Sequence, residues 1–177
     1  MNHEITEKTL TNEDSDISFN TIYEKEYIPK DYIDDIKRAN FLIIPEETFR
    51  EEQTLLFPET TREFFDYVKD SQNDEIISDI AISDEDFQRI EMHSATITVA
   101  TVIVQLVVLP IATGIVSAFL YDLLKKYRRK DDETIAEVNM IVEDKKTKKS
   151  KKITYKGPVF GVKDAIDSAA QNLFKED

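Results

Sequence analysis

Between Ala95 and Leu120 the sequence ATITVATVIVQLVVLPIATGIVSAFL runs for 26 residues without a charged side chain. About 20 mostly apolar residues, each adding ~1.5 Å, cross the ~30 Å hydrocarbon core of a bilayer. Gln105 is its one strongly polar side chain, and Thr and Ser hydroxyls can bond back to the preceding helical turn. Tyr121 and Tyr127 suit the interface, and Lys125, Lys126, Arg128, Arg129 and Lys130 form a basic stop. The stretch predicts a membrane segment over 94–124, a long apolar helix kinked at Pro110, where the ring removes a backbone donor. The same residues fit a soluble core as well. Pro110 divides them into pieces of roughly 15 residues, a common length for core helices. Their β-branched enrichment also suits a buried strand over Thr96 to Val104.

Charge is distributed unevenly around this stretch. Residues 1–93 carry a net −16 and residues 125–177 a net +4, within a total of −13. An acidic front half is repelled by nucleic acid and by anionic lipid, so nucleic acid is not an expected partner. The back half suits anionic headgroups. No cysteine is present, which excludes disulfides, a thiol nucleophile and a thiolate metal site. The opening MNHEITEKTLTNEDSD lacks the basic and apolar regions of a secretory signal, which predicts a cytoplasmic start.

The flanking segments predict an α+β chain. Residues 1–18 read as a disordered acidic tail. Residues 19–93 form an acidic α/β unit. Asp31 caps a brief helix through Ala39, and Phe41–Ile44 is a strand closed by Pro45. Thr60 and Glu63 have capping-box spacing before a helix over 61–70, and Ile76–Ile82 is a strand, giving a βαβ-like unit. Ser83 and Asp86 predict a further helix that runs unbroken into the apolar stretch. Residues 125–177 hold the basic stop and a ββα module. Its strands flank the turn DKKTKKSKK, and Val162, Ala165, Ile166, Ala169, Leu173 and Phe174 mark one face of a last helix. Each strand-bearing unit is small, so either both join one sheet or each completes itself by oligomerising.

The order strand, apolar Gly-containing run, KKYRRK, hairpin TIAEVNMIVED…KKITYKGP and helix VKDAIDSAAQNLF resembles the effector-associated constant component proteins of bacterial conflict and anti-phage systems. The resemblance covers about residues 76–174 and is one of pattern. It implies a non-enzymatic accessory component, membrane-linked and acting through a protein partner.

Signatures of catalysis are missing from the sequence. HExxH, a P-loop, GxGxxG and GxSxG do not occur, and the three glycines do not make a phosphate loop. Asp84 and Asp86 lack the spacing of a calcium loop. No enzyme activity, cofactor or metal is expected. Two surfaces are. Gln105, Pro110, Ala112, Gly114, Ser117 and Ala118 suit self-association of the apolar helix. Lys125, Lys126, Arg128, Arg129, Lys130, Lys145, Lys146, Lys148 and Lys149 suit contact with an anionic surface. The expected location is the cytoplasmic membrane with the C-terminal module in the cytoplasm. The alternative is a soluble cytoplasmic module whose apolar helices form a core or an oligomer interface.

Overall fold

A computed structural model describes residues 8–47, 55–71, 73–83, 86–87, 89–90, 96–127 and 134–175. Its strands are β1 (Thr9–Ser15), β2 (Phe41–Ile43), β3 (Glu46–Glu47), β4 (Leu55–Pro58), β5 (Ser78–Ile80), β6 (Arg89–Ile90), β7 (Thr96–Thr98), β8 (Val102–Gln105), β9 (Ile135–Asp144) and β10 (Lys149–Pro158). Its helices are α1 (Phe19–Tyr23), α2 (Ile33–Arg38), α3 (Thr61–Asp70), α4 (Leu109–Lys126) and α5 (Val162–Gln171). The chain is mixed α+β, as expected. Both strand-bearing units share one seven-stranded sheet in the order β1-β10-β9-β8-β2-β5, with β7 also paired to β9; β3, β4 and β6 form a small separate sheet.

The apolar stretch divides at its middle. Its first half supplies β7 and β8, and the helix begins only at Leu109. The long apolar helix expected is present but covers only the second half of the stretch, and the strand reading of Thr96 to Val104 is met by two strands with residues 99–101 between them. Val, Ile and Thr crowd a helical turn but pack well on a pleated sheet, and here β8 has a neighbour on each side. Pro110 lies in the first turn of α4 and produces no mid-helix kink. A first-turn proline gives up an N–H that has no intrahelical acceptor.

Alternation between β7 and β8 is broken by a bulge. From Thr98 to Val102 is four steps, against three from Glu137 to Met140 on the partner strand. One extra residue reverses the facing of everything after it. Ile97, Val102 and Val104 consequently all face one core, with Ile103 on the other side.

Two crossovers build the helical layer. α3 lies between the parallel strands β2 and β5, and α4 connects the parallel neighbours β8 and β9. The strands β2 and β8 run antiparallel, and the crossovers step outward in opposite directions. Equal handedness then puts both helices on the same face. Phe64 of α3 and Phe119 of α4 meet there with ring centroids 5.0 Å apart, and Phe41 of β2 lies 6.0 Å from Phe64. α5 packs beside α4 through Val162, Ala165 and Ile166. The opposite face of β2 and β8 is covered by α1 and α2, through Phe19, Ile22 and Ile36 against Leu42, Ile103 and Ile141.

Several local expectations change. Residues 9–15 of the acidic tail are strand β1, and residues 1–7 lie outside the described residues. Thr60 does precede α3, but its hydroxyl donates to the Thr98 carbonyl at 3.2 Å, so no capping box forms. Ser83 and Asp86 close a turn, with the Ser83 hydroxyl 3.0 Å from the Asp86 carboxylate, and β6 follows in place of a helix.

The Tyr155 side chain is fully buried, and its hydroxyl donates to the Pro158 carbonyl at 2.6 Å. A methyl group at Gly161 would stand 2.6 Å from the Tyr155 hydroxyl oxygen, and one at Gly157 would stand 2.8 Å from it and 3.3 Å from the Cα of Lys8. Gly161→Ala should cost about 1–3 kcal/mol through overpacking, and Tyr155→Phe about 1 kcal/mol through the lost hydrogen bond. Urea denaturation of the two variants checks both values. A Gly161→Ala chain as stable as wild type would show that this corner is looser than described.

Candidate interaction surface

Ten-residue strands β9 and β10 project a turn in which Lys145, Lys146, Lys148 and Lys149 are all exposed. Asp144 closes the turn: its carboxylate accepts from the Lys146 N–H at 3.0 Å, and its carbonyl accepts from the Lys148 N–H at 2.7 Å. Lys148 has φ 58°, in the left-handed region that non-glycine residues seldom occupy. Behind the turn, Glu143 sits at the start of α1 and accepts the Phe19 N–H; burial raises its pKa, against the lowering effects of that bond and of Lys145. Tyr23 is raised by burial and by the charge of Glu143.

An open groove of about 630 Å³ runs beside the turn. Asp14, Asp16, Lys148 and Lys151 line it, and Phe174 and Lys175 come from the segment after α5. Asp14 belongs to β1 and Asp16 follows that strand. In the β1–β10 ladder Glu13 lies opposite Lys152 and Asp14 opposite Lys151, and the Lys151 ammonium is 3.8 Å from the Asp14 carboxylate. Sequence reasoning missed this pairing. Its one signal was the run NED at 12–14 set against the run KSKK at 149–152.

The basic residues among those described do not form one surface. Lys125 and Lys126 end α4, which leads into the start of β9, whereas the lysine turn follows the end of β9. Ten strand residues separate the two positions by roughly 30 Å. Lys126 is engaged with Glu63 of α3 at 2.6 Å, a contact that raises the lysine pKa. Arg128, Arg129 and Lys130 lie outside the described residues.

The expected self-association set also divides. Ala112 and Ser117 face the core at 0% and 5% exposure, so neither is available to a second helix. Gln105 is half-buried and pairs with Glu143 in the ladder. Pro110, Gly114 and Ala118 share an outward stripe, four residues apart, with Val107 and Tyr121 at its ends. A methyl at Gly114 would meet nothing within 4 Å. A smaller pocket of about 230 Å³ lies between α3 and β5, with Arg62 over the Phe87 ring at 5.3 Å and Lys69 over Phe65 at 4.3 Å. His3, His93 and Asp84 lie outside the described residues.

Comparison with protein-family models, with curated proteins and with solved structures returned no match.

Glu143 gives a signed test of the turn's electrostatics. An acid whose pKa is raised by burial holds its proton more tightly folded than unfolded. The contribution of Glu143 to stability is therefore greatest below the ordinary glutamate range and is lost as pH rises through the raised value. Glu143→Gln keeps an acceptor for the Phe19 N–H and removes the titration. Its denaturation midpoint should fall less than that of wild type between about pH 4 and about pH 7. Parallel pH profiles would contradict the assignment.

Proposed function

We propose that this chain is a non-catalytic α+β interaction module in which α4 serves as the core helix of its own sheet and the lysine-bearing end meets a protein partner. The β8–α4–β9 connection carries this reading. α4 joins two strands that are hydrogen-bonded neighbours, so its two ends are tied to one sheet. Leu109, Ala112, Val116, Phe119, Leu120 and Leu123 fill the space between α4 and the sheet. A helix of 18 residues is ~27 Å long. To span a bilayer it would have to part β8 from β9, or carry the sheet with its open edges into hydrocarbon, where each unpaired backbone group costs several kcal/mol.

The membrane-anchored reading has support of its own. Leu106–Lys126 is long and apolar enough to cross a membrane, with 21 residues and mean hydropathy 1.9, and half of this apolar segment is buried inside the protein. The uncharged stripe from Val107 to Tyr121 would then face lipid. The setting suggested by the resemblance, an accessory component beside a bacterial effector, suits either reading. Self-association would draw on Pro110, Gly114 and Ala118 alone.

Paired substitutions separate the two readings. Val116→Asp puts an unpaired carboxylate into the core and should cost about 3–5 kcal/mol. Ala118→Arg lies on the outward stripe and should change stability by less than about 0.5 kcal/mol. At the middle of a span it would instead cost about 2.5–3.5 kcal/mol. Urea denaturation, and extraction with high salt and carbonate, read the difference. A wild-type chain in the carbonate-resistant pellet, released by Ala118→Arg, would sink the core-helix reading.

A further inference from the structure

We infer that the outer edge of β10 is an acceptor for an acidic, extended peptide of a partner protein, and that β1 is a tethered stand-in for that peptide. The inference rests on the reading of the chain as an interaction module.

The ladder between β1 and β10 is long and continuous, pairing Thr9 with Lys156 through Ser15 with Ser150. Six of the seven β1 residues are nonetheless exposed, and Ser15 is half-buried. On its other side β10 pairs with β9 and sends Ile153 and Tyr155 fully into the core. β1 is thus held mainly by backbone hydrogen bonds and by charge; its one large apolar side chain, Leu10 opposite Tyr155, is partly covered at 38% exposure. Strand addition uses these same terms: main-chain bonds for affinity and alternate side chains for specificity.

The specificity is visible in the register. Asp14 and Lys151 share the face of the sheet that carries Ile153 and Tyr155, and Glu13 and Lys152 share the opposite face. Acidic residues are matched to lysines on both faces at the same end of the edge. A strand that merely blunts an edge needs no such match. The other end is shaped as well. Gly157 leaves room for the Lys8 backbone, because a methyl there would come within 3.3 Å of the Lys8 Cα. The fitting ligand is an extended segment with a small or flexible start and two consecutive acidic residues five and six positions after the one that sits over Gly157.

Release is also possible in the tether. Ser18 and Thr21 fix the start of α1 by reciprocal bonds at 3.1 and 2.8 Å, which leaves Asp16 and Ile17 between β1 and a fixed point. A short tether holds its ligand at an effective concentration in the millimolar range. A free peptide must compete with that, so its binding to the intact chain is weak until β1 is loosened.

The test uses the full chain and a fluorescent peptide of residues 8–16, KTLTNEDSD, read by anisotropy. Glu13→Lys with Asp14→Lys in the chain loosens its own strand and should tighten peptide binding roughly 3- to 30-fold, with an effect that shrinks at high salt. In the otherwise native chain, Lys151→Glu with Lys152→Glu also loosens β1 and should reverse the preference, toward a KTLTNKKSD peptide. Because the native chain has no cysteine, Thr11→Cys and Thr154→Cys, which face each other in the register, can be crosslinked to lock β1 in place. The locked chain should bind neither peptide. Equal binding by locked and open chains, or no change of preference on charge reversal, would overturn the inference. So would a wild-type dimer abolished by the crosslink, which would assign the edge to the β1 of a second copy. A carbonate-resistant pellet sinks the core-helix reading and leaves these peptide results standing; peptide binding by the locked chain does the reverse.

Discussion

Four residues in the middle of the sequence hold the molecule together. Val102–Gln105 pairs with β2 on one side and β9 on the other, joining the front half of the chain to the back half in one sheet. Without β8 the main sheet falls into the parallel pair β2–β5 and a group of β1, β10, β9 and β7, and the pair is too small to stand alone. The strand is fully apolar except at Gln105, as a strand buried on both faces must be. The same ladder fixes α4, which begins four residues after β8 ends and must return alongside the sheet to reach β9. The placement of α3 and α4 on that face follows from this crossover and its counterpart through α3.

The distribution of charge over the surface follows from the same constraint. α4 turns most of its length inward, and what remains outside is a narrow, uncharged stripe that ends at Asp122 and Lys125. The charges that dominate composition are displaced to the margins: acids on β1, α2 and the α3 surface, lysines on the β9–β10 turn and along β10. Where the two signs meet across β1 and β10, they coincide with the longest-range backbone pairing in the fold.

Legibility in the sequence tracked how much each element depends on its own residues. α3 was predicted at 61–70 and spans Thr61–Asp70, because Phe64 and Val68 stand on one helical face of a short, otherwise polar segment. The terminal ββα was equally plain, since its lysine turn and the spacing of Val162, Ala165 and Ile166 are local signals. The apolar stretch was ambiguous for a physical reason: a segment that is apolar all round has no periodicity to read, and the bulge between Thr98 and Val102 removes the alternation that would have marked a strand. The same uniformity hid the rotation of α4, which is why Ala112 and Ser117 were grouped with Gly114 and Ala118 although they face the core. β1 left almost no trace, because its stability lies in backbone bonds to residues far along the chain. The lysines of the candidate surface were legible as a run; their acidic complement was not.

The span of the β1 ladder bears on how the chain folds as it is made. Thr9 and Lys156 are 147 positions apart, so β1 leaves the ribosome first and acquires its partner strand last. At ~5–20 residues per second it waits roughly 7–30 s with its hydrogen-bonding groups unmatched. An apolar strand in that position would recruit neighbouring nascent chains into cross-β contacts. The segment TLTNEDS has one large apolar residue and two acids, so it can pass that interval as a solvated, self-repelling chain. The exposure that makes β1 a weakly held edge in the finished fold is what keeps it harmless during synthesis.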